Sequence, residues 1–164
     1  MWPSMSEVAF SLAPLSKSPC QVYFDSRTNL ADVIEQVLQQ VGPSQLTIST
    51  FSTSEAFLRR LHRLKKASLV QTCSLFLDLK ATKKTMELLP MMRGVCDEVV
   101  LCQNHSKVVL MCNDAHRVCI VTSQNQTVGG RAECGVILSD FNIYNQLNDG
   151  FNHLRKTGFE PSSV

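Results

Sequence analysis

An imidazole and an ammonium stand two residues apart in Asn104-His105-Ser106-Lys107, at the head of the apolar run Val108 to Met111. In a strand, alternate side chains share a face, so His105 and Lys107 point one way while Ser106 and Val108 point the other. A second apolar run, Arg117 to Val121, ends in the polar cluster Thr122-Ser123-Gln124-Asn125-Gln126-Thr127, with Arg131 and Glu133 further on. A hairpin turning around Cys112 to His116 sets both polar ends at the same end of a sheet. His105, Lys107, Ser123, Asn125 and Glu133 then gather there. A nucleophile or acid/base, a fixed cation and neutral hydrogen-bond donors together suit an anionic phosphate.

The order H-x-K, hairpin, S-x-N, Glu resembles the phospholipase D superfamily, whose motif is H-x-K, an Asp, then G-S-x-N, often followed by a Glu. His105-Ser106-Lys107 and Ser123-Gln124-Asn125 carry the resemblance, with Glu133 as the acidic partner. Thr122 stands where the family has Gly, and Cys112 where it has Asp. The segment between Lys107 and Thr122 is longer than usual, and Asp114 in the proposed turn is the candidate substitute for the motif Asp. The resemblance implies an α-β-α sandwich with its site at one end of the sheet. It also implies a two-step reaction. One histidine attacks phosphorus to give a phosphohistidine, and a second protonates the leaving oxygen and then activates water, with no metal or other cofactor. Carried over, His105 is nucleophile or general acid, Lys107 and Asn125 bind phosphate, and Glu133 orients the imidazole. Ser123, Thr122 and Arg131 are the candidate substrate-binding residues.

That chemistry needs two motifs per site. His62, His116 and His153 have no Lys at the H-x-K spacing, so the chain must pair with a second copy of itself. The resulting expectation is a metal-independent phosphodiesterase, a nuclease by analogy, with a site shared across a homodimer and nucleic acid as partner. The competing expectations are a noncatalytic phosphate or nucleic-acid binding module that keeps a degenerate site, and a pure assembly subunit. A Ser/His/Asp hydrolase would need G-x-S-x-G, which is missing.

The elements that position these residues are legible as periodicity. Gln21 to Phe24 is a short strand. Asn29 to Val41 spaces Leu30, Val33, Ile34, Val37, Leu38 and Val41 as a helix face, capped by Thr28 or Asn29 and ended by Gly42-Pro43. Strands are expected near 46–51, 72–78, 98–102, 107–112, 117–122 and 134–138. Ser52 and Glu55 have the spacing of a capping box at the head of a helix running to about Lys66. Its far face carries Arg59, Arg60, Arg63 and Lys66, a solvated face or a phosphate-backbone contact. Thr82 to Arg93 reads as one helix that Pro90 kinks or ends early. A last helix, Phe141 to Lys156, stacks Phe141, Tyr144, Leu147, Phe151 and Leu154 on one stripe. Gly129-Gly130 reads as a tight connection. Strands alternate with helices first and cluster later, so the fold class is α/β with a mixed, partly parallel sheet covered on both faces.

At 164 residues the chain supports one domain, read as residues 20–164 behind an irregular arm, 1–19, rich in proline and serine and read as no signal peptide. Hydrophobic content of 44% with 18% charged residues excludes a disordered chain, and a net charge of +2 does not by itself imply nucleic-acid binding. No apolar run reaches the roughly 20 residues that span a bilayer. Seven cysteines, an odd number with no C-x-x-C, read as reduced and mostly buried thiols of a cytoplasmic protein.

Overall fold

A computed structural model describes residues 9–127 and 130–162. The first eight residues of the arm, and Gly129 of the glycine pair, lie outside them. Among the described residues the strands are β1 Cys20–Asp25, β2 Ser44–Thr50, β3 Val70–Asp78, β4 Glu98–Cys102, β5 Val108–Cys112, β6 Arg117–Thr122 and β7 Glu133–Ser139. They form one sheet in the order β1-β7-β6-β5-β2-β3-β4. β2, β3 and β4 run parallel, while β5, β6, β7 and β1 pair antiparallel. The sheet is mixed and partly parallel, as the alternation of patterns predicts.

Helices α1 Leu30–Val41, α2 Glu55–Lys66 and α4 Leu89–Val95 bury their apolar residues with Leu46, Ile48, Leu75 and Leu77 on one face of the sheet. α5 Phe141–Thr157 packs Tyr144 and Phe151 with Phe76, Leu110 and Cys119 on the other. The result is an α-β-α sandwich. In the arm, Leu12 and Leu15 are buried, and the amides of Leu12 and Leu15 donate to Gln36 (2.7 Å) and Gln40 (2.9 Å) of α1. The described part of the arm therefore docks on its own chain.

Three local expectations are corrected. Ser54, not Ser52, caps α2: its Oγ accepts from the Phe57 amide at 3.2 Å, and Glu55 is the first helical residue, free to pair with Arg59 at 2.5 Å. The segment expected to be one helix over 82–93 is two, α3 Lys83–Met86 and α4. Pro90 sits in the first turn of α4, where its missing N–H costs nothing, so it opens a helix instead of ending one. Phe141, assigned to the core stripe, is 56% exposed and lies 5.3 Å under the Arg117 guanidinium. The basic face of α2 is partly paired: Arg60 bonds Asp32 (2.7 Å) and Glu35, and Arg63 lies 3.9 Å from Glu35.

All seven cysteines are free thiols, four of them buried. Among the described residues no helix is long and apolar enough to cross a membrane. Phe76 anchors the second core. It is fully buried, meets Phe151 edge-on at 5.0 Å and carries the Arg155 guanidinium 5.2 Å above its ring. Phe76→Ala removes both contacts and leaves a cavity, and is expected to cost about 3–5 kcal/mol, read as a lower urea midpoint at unchanged slope.

Candidate phosphate site at one end of the sheet

β1, β2, β3 and β6 end, and β5 and β7 begin, at the same end of the sheet, so the polar ends of the hairpin share that end. The β5 strand begins at Val108, one residue later than expected, because Ser49 Oγ, not a strand carbonyl, takes the Val108 amide at 3.1 Å. His105 to Lys107 forms the extended entry to it. Lys107 Nζ lies 3.5 Å from His105 Nδ1 and donates to the His105 carbonyl at 3.2 Å. Ser106 points the other way, to Ser49 Oγ at 2.7 Å and Asn104 Oδ1 at 2.5 Å. The alternation read from the sequence therefore holds at the residues that matter.

The end of β2 holds the two halves together. Phe51 sets its ring 5.4 Å from the exposed His105 imidazole, while the neighbouring Thr50 Oγ1 reaches Asn125 Oδ1 at 3.5 Å. The Thr122 amide donates to the Lys107 carbonyl at 3.1 Å and closes the hairpin at the site end. Asp78 fixes the approach loop by accepting the amides of Lys80 (2.7 Å) and Asn104 (3.0 Å). α1 and α2 also begin at this end, so the positive ends of two helix dipoles face it.

Of the remaining candidates, Ser123 Oγ donates to the Glu133 carboxylate and accepts the Cys134 amide at 3.1 Å, so Glu133 meets the serine. Thr122 Oγ1 is engaged by the Tyr23 hydroxyl (2.8 Å), the Cys134 carbonyl (2.8 Å) and the Gln124 amide (3.1 Å). A glycine could make none of these bonds. Arg131 is exposed. Cys112 and Asp114 lie at the opposite end of β5, Cys112 paired with Arg117 and Asp114 exposed in the turn. Asp114 therefore does not join His105.

Tyr23 carries no local signal in the sequence; its hydroxyl donates its one proton to Gln124 Oε1 at 2.8 Å, while Gln124 Nε2 donates to the Thr28 carbonyl at 2.7 Å. Burial pushes the Tyr23 phenol up to about 12, so it stays protonated as a donor. Burial also acts to raise the Asp25 carboxyl, but the Thr28 hydroxyl and the Thr28 and Arg27 amides outweigh it and hold the pKa low. Gly135 is needed beside this network: a Cβ there would lie 2.5 Å from the Tyr23 ring. No metal-ligating group of three or more His, Cys, Asp or Glu occurs among the described residues.

No protein-family model and no curated protein matches the chain. Solved structures do. Nuc from Salmonella typhimurium, a phospholipase D family member, is similar with a TM-score of 0.67 at 14% identity, over 88% of this chain and 98% of that one. NucT from Helicobacter pylori is similar with a TM-score of 0.61 at 8% identity, over 87% and 99%. A polyphosphate kinase from Porphyromonas gingivalis is similar with a TM-score of 0.66 at 14% identity, over 90% of this chain but 27% of the larger protein. The fold of this chain is therefore that of the phospholipase D family.

Proposed function

We propose that the chain is a metal-independent phosphodiesterase of the nuclease kind, working through a phosphohistidine at a site shared by two copies. The observation that carries this is the pairing of His105 and Lys107 on one side of the β5 entry, 3.5 Å apart, at the sheet end that also holds Asn125. The fold likeness to Nuc and NucT supports it.

In the first step His105 attacks phosphorus. A P–N bond forms and the P–O bond to the leaving group breaks. The leaving oxygen takes a proton from the partner subunit's His105. That imidazole, now neutral, removes a proton from water, whose oxygen attacks phosphorus and releases His105. In this reading Lys107 and Asn125 stabilise the charge that develops on the nonbridging oxygens, and fixed donors of this kind act most strongly in the transition state. Ser123 and Glu133 brace the β6–β7 connection that carries Asn125, and Thr122 ties it to Tyr23.

An exposed apolar strip supports the shared site. Val22, Phe24 and Val121 are 65%, 73% and 39% exposed. Register puts all three on one face of the sheet, with Phe24 opposite Cys134 and Val121 opposite Val136. That face is the one α5 packs on, and the strip adjoins Thr122 and Glu133.

The test is hydrolysis of bis(p-nitrophenyl) phosphate and of a single-stranded oligonucleotide in excess EDTA. The expected result is turnover of both, unaffected by chelator, with acid-labile phosphate trapped on the protein in a rapid quench. Activity lost to EDTA and restored by a divalent ion would overturn the metal-independent reading. The absence of any turnover would leave the phosphate-binding alternative.

A further inference from the structure

Buried polar atoms without partners are rare in folded proteins, and each calls for a cause. Among the described residues the unpaired ones are Thr53 Oγ1, both amide atoms of Gln126, and His116 Nδ1. Three of these four atoms sit at one place. Thr53 and Gln126, 5% and 2% exposed, face each other across an isolated parallel bridge. The bridge is held by one main-chain bond and one serine hydroxyl: the Gln126 amide donates to the Ser52 carbonyl at 3.2 Å, and Ser54 Oγ to the Gln126 carbonyl at 2.8 Å. The side chains are left over. Gln126 directly follows Asn125 of the candidate site.

Two cavities meet at this bridge. One, of about 120 Å³, is lined by Asn125, Gln126 and the first residues of α1 and α2. The other is an open groove of about 710 Å³ between the head of α2 and the segment 82–88, lined by Thr53, Thr82, Lys84 and Thr85. The two share Ser54, Ala56 and Thr127. Lys80 and Lys83 are exposed beside the groove. Its carboxylates are Glu55, which Arg59 neutralises at 2.5 Å, and Glu87. The groove volume is in the range of ligand clefts, roughly 300–1,000 Å³.

These features match the parts of a nucleotide. A helix head and an ammonium suit a phosphate. An amide that donates and accepts, beside a hydroxyl that does both, suits a sugar or base edge. We propose that this groove binds the nucleotide next to the scissile phosphodiester, with Lys84 on its phosphate and the Thr53–Gln126 bridge on its sugar or base. The proposal rests on the nuclease reading and adds the path of the strand: it leaves the site past Asn125, over the head of α2, towards Lys84.

The experiment measures binding, so it does not need turnover. Full-length chain carrying His105→Ala is titrated with a fluorescein-labelled single-stranded DNA oligonucleotide, and separately with labelled polyphosphate, across a salt series. Adding Lys84→Ala should weaken DNA binding about tenfold at low salt and reduce the slope of log K against log salt by about 0.7, one phosphate contact on a single strand. Adding Gln126→Leu should weaken DNA about tenfold and leave polyphosphate as before. An unchanged salt slope for Lys84→Ala overturns the proposal. So does a Gln126→Leu variant that weakens both polymers equally. If a thermal melt shows that Gln126→Leu perturbs folding, the exposed Lys84 decides alone. Failure of the parent reading is scored separately, as absent hydrolysis of bis(p-nitrophenyl) phosphate by the chain with His105 intact.

Discussion

His105→Ala is expected to lower phosphodiester turnover by about 10⁴-fold or more, the scale on which losing one member of a nucleophile pair disables the unit. The fold should barely register the change. The imidazole is exposed, its ring contact is with Phe51, and its Nδ1 contact is with the half-buried Lys107. Substitutions of that kind usually shift stability within about 0.5 kcal/mol. Lys107→Ala should cost less, about 10²–10³-fold, because it removes charge stabilisation and leaves the nucleophile. Two assays separate these roles. Rapid-quench trapping should find no phosphoprotein in His105→Ala, and a slowly formed one in Lys107→Ala. A His105→Ala chain that keeps a tenth of the activity would refute the assignment of the imidazole.

The fold was legible because its signals were local. Apolar runs with turn residues between them marked each strand, and the 3.6-residue spacing of Leu30 to Val41 marked α1, with its cap narrowed to Thr28 or Asn29; the structure selects Asn29, which accepts the Ala31 amide at 2.9 Å. Errors arose where two local devices competed. Ser52 and Ser54 both precede α2, and only the chain path, fixed by the Gln126–Ser52 bond, selects Ser54. Pro90 reads equally well as the end of one helix or the first turn of the next. The pairing of His105 with Lys107 was legible from strand alternation alone. Long-range chemistry was not. Nothing near Thr122 in sequence announces Tyr23, ninety-nine residues away, yet their 2.8 Å hydrogen bond explains a threonine where the resembling motif has glycine. The same holds for Thr53 and Gln126, whose unpaired side chains exist only once the bridge between them forms.

Phe24→Asp is expected to convert an active dimer into an inactive, folded monomer. One chain supplies one His105, and in-line displacement needs an acid opposite the nucleophile. A two-fold interface duplicates His105, Lys107 and Asn125 from a single motif, because both copies present the same surface. Phe24 is the most exposed large apolar residue described, at 73%, and register places Val22 and Val121 on its face of the sheet. A stable interface needs about 800 Å² per partner with an apolar centre. A charge there remains solvated in the monomer and must be desolvated in the dimer, so the substitution acts on association and spares the fold. Sedimentation should give the wild-type chain about twice its 18.3 kDa and Phe24→Asp its single mass, with superimposable circular dichroism. Wild-type activity per chain should also fall on dilution through the dissociation range, and mixing with excess His105→Ala should poison it, since every mixed pair lacks one imidazole. A wild-type monomer with full activity at working concentration would sink the shared site. A dimer that Phe24→Asp leaves intact and active would leave the shared site standing and move its interface off this face.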